Sequence, residues 1–180
     1  MPGGWLAWQT VTGQFVFPIE ELELETGRWT LRMLAVTLAI SPARRLFGWN
    51  SLIRYRRMLG LFVFFYATVH VTLYLGLDMV GDIDLIVEDV LDHRYITIGA
   101  IAYLMLIPLA ITSTKGWIRR LGRRWQKLHR LVYVAAVAGT IHYLWAVKKD
   151  TFLPLVYLSI FVVLLGYRLI AWQMGRRRAA

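Results

Sequence analysis

Five apolar stretches divide the chain, and the polar residues between them fall in blocks sorted by charge. The first stretch covers about residues 26–43, with Arg32 near one end, where it can snorkel, and Ser41-Pro42 closing it. Residues 58–77 come next, about the 20 that a hydrocarbon core requires, with a single ionisable group inside, His70. Residues 96–113 include Pro108, a kink tolerated where neighbours re-satisfy the backbone. The fourth stretch, 131–147, holds His142, and the fifth starts near Phe152, stays apolar to Tyr167 and trails into a basic run. Ahead of them all, residues 1–25 lack the basic start and long apolar core of a signal peptide and are too short and polar to span a bilayer. They read as an exposed or interfacial lead-in. No repeat with a period of 20–50 residues is evident.

The charges orient these spans, because basic residues stay on the cytoplasmic side of short loops. Of the 21 basic residues, 16 fall on one side: Arg44, Arg45, Arg54, Arg56 and Arg57, then seven between Lys115 and Arg130, then Arg168 with the run 176–178. All 11 acids fall on the other, in a cluster from Glu20 to Glu25, a second from Asp78 to Asp92, and Asp150. The pattern predicts an all-α integral membrane bundle of five helices, N-terminus outside and C-terminus in the cytoplasm. A soluble bundle with buried helices would not sort its acids this way.

Composition narrows the chemistry. The chain is 58% hydrophobic, 18% charged and has a mean hydropathy of +0.51, too apolar for an ordinary soluble domain. Its net charge of +10 is explained by topology, and nucleic-acid binding is not expected. With no cysteine, thiolate iron–sulfur clusters and covalent haem attachment are excluded, so any redox group is held by other side chains.

An imidazole in hydrocarbon is costly without a partner. His70 lies 13 residues beyond Arg57 and His142 lies 12 beyond Arg130, so both sit about 18–20 Å from the same basic edge at 1.5 Å per residue. Level imidazoles on two helices of a bundle suit the two axial positions of a haem iron, toward the outer face. His129 stands about 20 Å nearer the cytoplasm along the same helix and about 140° around it from His142. Facing it on the second span is Arg57, which does not ligate iron. His129 is thus either a third haem-associated ligand or an interfacial histidine, and His93, between Asp92 and Arg94, reads as solvated.

Several short motifs, in order and spacing, resemble a known family. They are Thr26-Gly27-Arg28, Ser41-Pro42, Arg56-Arg57 with Gly60, Thr68 with His70, Thr112-Ser113-Thr114, Leu121-Gly122 through Trp125 to His129, and Ile141-His142 to Trp145. Over residues 26–172 the chain resembles the haem-binding membrane subunits of the bacterial periplasmic protein-methionine-sulfoxide reductase system, the MsrQ (formerly YedZ) family. That family lies within the ferric-reductase-like transmembrane group, which includes the NADPH oxidases. The resemblance implies an inner-membrane electron-transfer subunit, not itself the catalytic one, carrying haem b and flavin mononucleotide (FMN). One haem is the economical arrangement, and two is the alternative.

Electrons would come from the quinone pool or a cytosolic flavin reductase and pass to a periplasmic molybdopterin enzyme that reduces methionine sulfoxide. His70, His129 and His142 fall on the family's haem-associated histidines, and Arg56 and Arg57 on its arginine pair, where we place the flavin phosphate. Two departures stand out: members have six spans, so residues 1–25 would be a remnant of the first, and the four-histidine set of the oxidases is absent. Residues 173–180 form a basic cytoplasmic tail. Two other functions fit the same histidines: a proton-coupled transporter or channel using them as a relay, and a cytochrome b subunit serving another redox enzyme.

Overall fold

The computed structural model describes residues 18–148 and 150–177; most of the lead-in and the last three residues of the tail lie outside them. Helix α1, Pro18–Phe47, is already helical eight residues before the apolar pattern predicts and runs through Pro42 instead of stopping there. Proline removes the N–H that would bond the carbonyl one turn back. Here the Leu38 carbonyl accepts from Arg168 Nη2 at 2.8 Å instead, so the helix continues for another turn. Arg32 does not simply snorkel: its Nε donates to the Tyr157 hydroxyl at 3.1 Å and its Nη1 lies 3.4 Å from Glu25.

A short 3-10 turn, Asn50–Tyr55, leads into α2, Arg56–Leu73, which is prolonged by a wider turn, Tyr74–Asp78. Helix α3, Ile83–Asp92, is N-capped by the Asp82 carboxylate, which accepts from the Asp84 and Leu85 N–H groups at 3.0 and 3.3 Å. Helix α4, Arg94–Ile111, carries Pro108 in its last turn. Two short basic helices, α5 (Lys115–Leu121) and α6 (Arg123–Leu128), meet at Gly122, whose φ of 49° and ψ of −122° favour a residue without Cβ. Helices α7, Leu131–Ala146, and α8, Phe152–Arg177, complete the chain.

Among the described residues, three segments are long and apolar enough to cross a membrane: Asn50–Leu77, Arg94–Ile111 and Phe152–Met174. The other two expected spans exist as helices but differ in kind. α7 has 16 residues, about 24 Å against a hydrocarbon core of about 30 Å. α1 is long enough, but its first half carries four glutamates, Arg28 and Arg32. Phe65, Leu104, Val162 and Val163 all point outward with more than half of their surface exposed, as lipid-facing side chains do.

Four helices form a ring, α1 along α2, α2 against α4, α4 along α7, and α7 back to α1, with α8 outside on α1 and α7. Leu31, Leu34, Leu38, Val63, Leu106, Ala135 and Ala136 fill the centre. The α1–α2 pair and the α4–α7 pair repeat one pattern at an offset of 72 residues, buried Leu34, Thr37, Ile40 and Val63 matching buried Leu106, Leu109, Thr112 and Ala135. Thr68 and Thr140, also 72 apart, each bond the carbonyl one turn back, at 2.9 and 2.7 Å. In this ring α2 and α7 are diagonal to each other, so side chains facing inward from both point at a shared axis.

Candidate functional site

His70 stands on the last turn of α2 and His142 on the last turns of α7, and their ring centroids are 6.1 Å apart with planes at 73°. Each ring is fixed by its other nitrogen. His70 Nδ1 donates to the Glu23 carbonyl at 2.9 Å, and His142 Nδ1 donates to the Tyr95 carbonyl at 2.7 Å. Both acceptors are helix carbonyls 47 residues before the histidine they hold. A donor bond of this kind sets the tautomer and leaves Nε2 as the basic nitrogen, the arrangement found behind metal-bound histidines.

The spacing admits one metal ion between the rings. A ligating imidazole nitrogen lies about 2 Å from a first-row metal and about 1 Å from its own ring centre, so opposed axial imidazoles have centroids about 6 Å apart. Among the described residues no cluster of three or more His, Cys, Asp or Glu could hold a metal, which leaves a two-ligand site completed by another group. A porphyrin is such a group, and the donor set fits it.

His129 does not join that pair. It lies at the basic end between α6 and α7, with the Trp125 indole stacked on its ring at 3.8 Å. Its Nε2 is 3.1 Å from the Thr112 hydroxyl, which is itself 2.6 Å from the Pro108 carbonyl. Because that hydroxyl donates to Pro108, it accepts from His129, whose Nε2 therefore carries the proton. Burial, and then the nearby Arg56 guanidinium, hold the His129 pKa below the ordinary histidine value, so the ring is neutral at pH 7.

His129 and the arginine pair line one cavity of about 550 Å³ at the basic end of the ring, inward of the two core histidines. Arg56, Arg57 and Arg130 supply cations, Ser113 and Gln126 hydrogen-bonding groups, and Trp125 and Tyr133 aromatic faces. Such walls suit a planar anionic ligand. At the acidic end His93 is half-exposed and pairs with Asp89 at 2.8 Å, apart from either site.

The sequence reading missed Gly99 and the Glu23 and Tyr95 carbonyls, and quoted Gly27, Thr112 and Trp125 as motif residues without the parts they play. A signal was present, since Gly27 and His70 are separated by the same 43 positions as Gly99 and His142.

Comparison with known proteins gives the family. Residues 26–140 match the ferric reductase like transmembrane component family. A "Protein-methionine-sulfoxide reductase heme-binding subunit MsrQ" from Herminiimonas arsenicoxydans is 51% identical over 185 positions, covering 100% of this chain and 85% of the relative. The protein of that name from Xanthomonas oryzae pv. oryzae is 49% identical over 170 positions, 94% of this chain and 77% of the relative. The chain belongs to the MsrQ family. A third MsrQ, from Xanthomonas euvesicatoria pv. vesicatoria, is 47% identical over 181 positions, 98% of this chain and 83% of its own. No solved structure matches the chain. Membership in this transmembrane family accords with the outward apolar faces and makes the chain a membrane-bound redox subunit.

Proposed function

We propose that this MsrQ-family subunit carries electrons across the bacterial inner membrane through one haem b, with His70 and His142 as its axial ligands. The observation that carries the reading is the 6.1 Å pair of imidazoles, each anchored through Nδ1 to a helix carbonyl. When bound, a bis-imidazole haem supplies a one-electron carrier with no open coordination position for substrate. The chain's own part is to hold both ligands rigid and to keep water out with the surrounding apolar helices.

The basic end faces the cytoplasm and the acidic end the periplasm on the charge pattern. Arg56 and Arg57 in the cavity at the basic end would hold the phosphate of FMN, which would supply a carrier for electrons from the quinone pool or a cytosolic flavin reductase. His129 is a wall of this cavity, its Nε2 proton donated to Thr112, and the position matching it on the other half of the ring is Arg57, which does not ligate iron, so one haem is expected. Electrons would leave at the acidic end to a periplasmic molybdopterin enzyme; that the partner is a methionine-sulfoxide reductase is what the relatives' name suggests.

A pyridine haemochrome assay with flavin quantification on one preparation tests this, one haem and one flavin per chain being expected. A colourless preparation would favour the proton-relay function. Arg57→Ala should lower flavin retention several-fold while leaving haem content unchanged, read by flavin fluorescence of the extracted protein. Unchanged fluorescence would move the flavin elsewhere. His129→Ala should slow reduction of the haem by the cytoplasmic donor without removing it, which stopped-flow absorbance can follow.

A further inference from the structure

We propose that Gly27 and Gly99 are positioning residues, each a missing side chain that lets one imidazole reach a helix carbonyl and so sets the two iron ligands. The inference rests on the bis-imidazole reading above.

In an α-helix every Cα–Cβ bond leans toward the N-terminus, so a side chain overlies the turn before its own residue. The carbonyl of residue i is therefore shielded by the side chain at i+4. The carbonyls that accept from His70 and His142 belong to Glu23 and Tyr95, and four positions on stand Gly27 and Gly99. In both helices the absent Cβ opens the carbonyl's second lone pair to a ring from the neighbouring helix.

The clearances differ. A Cβ built on Gly99 would lie 2.7 Å from His142 Nδ1, 2.9 Å from Cε1 and 3.1 Å from Cγ. One built on Gly27 would lie 3.4 Å from His70 Nδ1 and Cε1. The first is inside any tolerable contact, and the ring cannot retreat without breaking its bond to Tyr95. The second is at the edge of ordinary contact. Glycine is a poor helix former, and the helical glycines Gly60 and Gly166 have nothing within 4 Å of a built Cβ, so they are held to no such role. The paired register, Gly27 with His70 and Gly99 with His142, makes the seat a property of the repeated helix pair.

The experiment is a glycine-to-alanine set in the full-length haem-loaded protein: Gly99→Ala, Gly27→Ala, and Gly166→Ala as the control. Gly99→Ala is expected to lose haem roughly tenfold on dilution, the scale of removing a group that orients a metal ligand. Its remaining ferric haem should turn from low-spin to high-spin by electron paramagnetic resonance and return to low-spin on adding free imidazole. Gly27→Ala should keep stoichiometric haem with a shifted midpoint potential, and Gly166→Ala should match the parent. A low-spin, stoichiometric Gly99→Ala with the parent's potential overturns the assignment. Should Gly99→Ala not accumulate, Gly27→Ala decides, an unchanged potential overturning it. If His142→Ala also keeps its haem, the ligand reading itself has failed; if only the glycine variants are silent, that reading stands without this one.

Discussion

Haem is expected to be lost from His70→Ala and from His142→Ala, each alone, to nearly the same extent. Either change removes an iron ligand and the hydrogen bond by which that ligand is held, to Glu23 or to Tyr95. Losing only an outer-shell partner costs metal sites roughly 10–100-fold in affinity, and losing the ligand itself costs more. The remaining imidazole cannot compensate, because its own carbonyl bond fixes it on its side of the ring of helices. No third donor is at hand, since His129 lies in the cavity at the basic end, away from the pair. Haem per chain by pyridine haemochrome, on protein shown to be monodisperse in detergent, is the measurement. Stoichiometric haem in either variant would remove the proposed pair.

The matching depth of these two histidines was legible before any coordinates. Equal depth of His70 and His142 follows from counting residues along two helices, and depth is the one coordinate a helix reports directly. The facing of the two rings is not reported that way, because it depends on which helices are diagonal in the bundle. The apolar pattern found every long helix and misjudged ends where side chains from elsewhere intervene. Pro42 reads as a stop, and becomes none once Arg168, 126 positions on, takes the carbonyl it frees. His129 stayed open between two roles because Thr112, which engages it, comes from the end of α4, and because the chain breaks between α6, which His129 caps together with Trp125 one turn back, and α7, which carries His142. The 72-residue repeat escaped notice because its halves share burial and hydrogen bonding more than residue identity: Val63 matches Ala135, and Arg57 matches His129. That last mismatch is informative. The register that pairs His70 with His142 pairs His129 with an arginine, so at the basic end the two halves of the ring differ in chemistry, and the cavity there is cationic.

Replacing Arg168 by methionine is expected to be among the most destabilising single changes outside the histidines. Its Nη1 donates to the Tyr133 hydroxyl at 2.5 Å and its Nη2 to the Leu38 carbonyl at 2.8 Å, while the guanidinium lies 5.0 Å from the centre of the Tyr133 ring. Methionine keeps much of the apolar stem and removes both donors. Two polar groups are then left in a low-dielectric interior at about 1–3 kcal/mol each, or about 2–6 kcal/mol together. The Leu38 share has a specific remedy. That carbonyl lacks its helical partner only because residue 42 is proline, so Pro42→Ala in the Arg168→Met background supplies an N–H one turn on and should recover about 1–3 kcal/mol. In the parent background Pro42→Ala should recover less, because Arg168 already satisfies the carbonyl. Thermal unfolding of all four proteins in one detergent gives the coupling between the two positions directly. If Arg168→Met costs the same whether residue 42 is proline or alanine, the arginine is not what carries α1 past its proline.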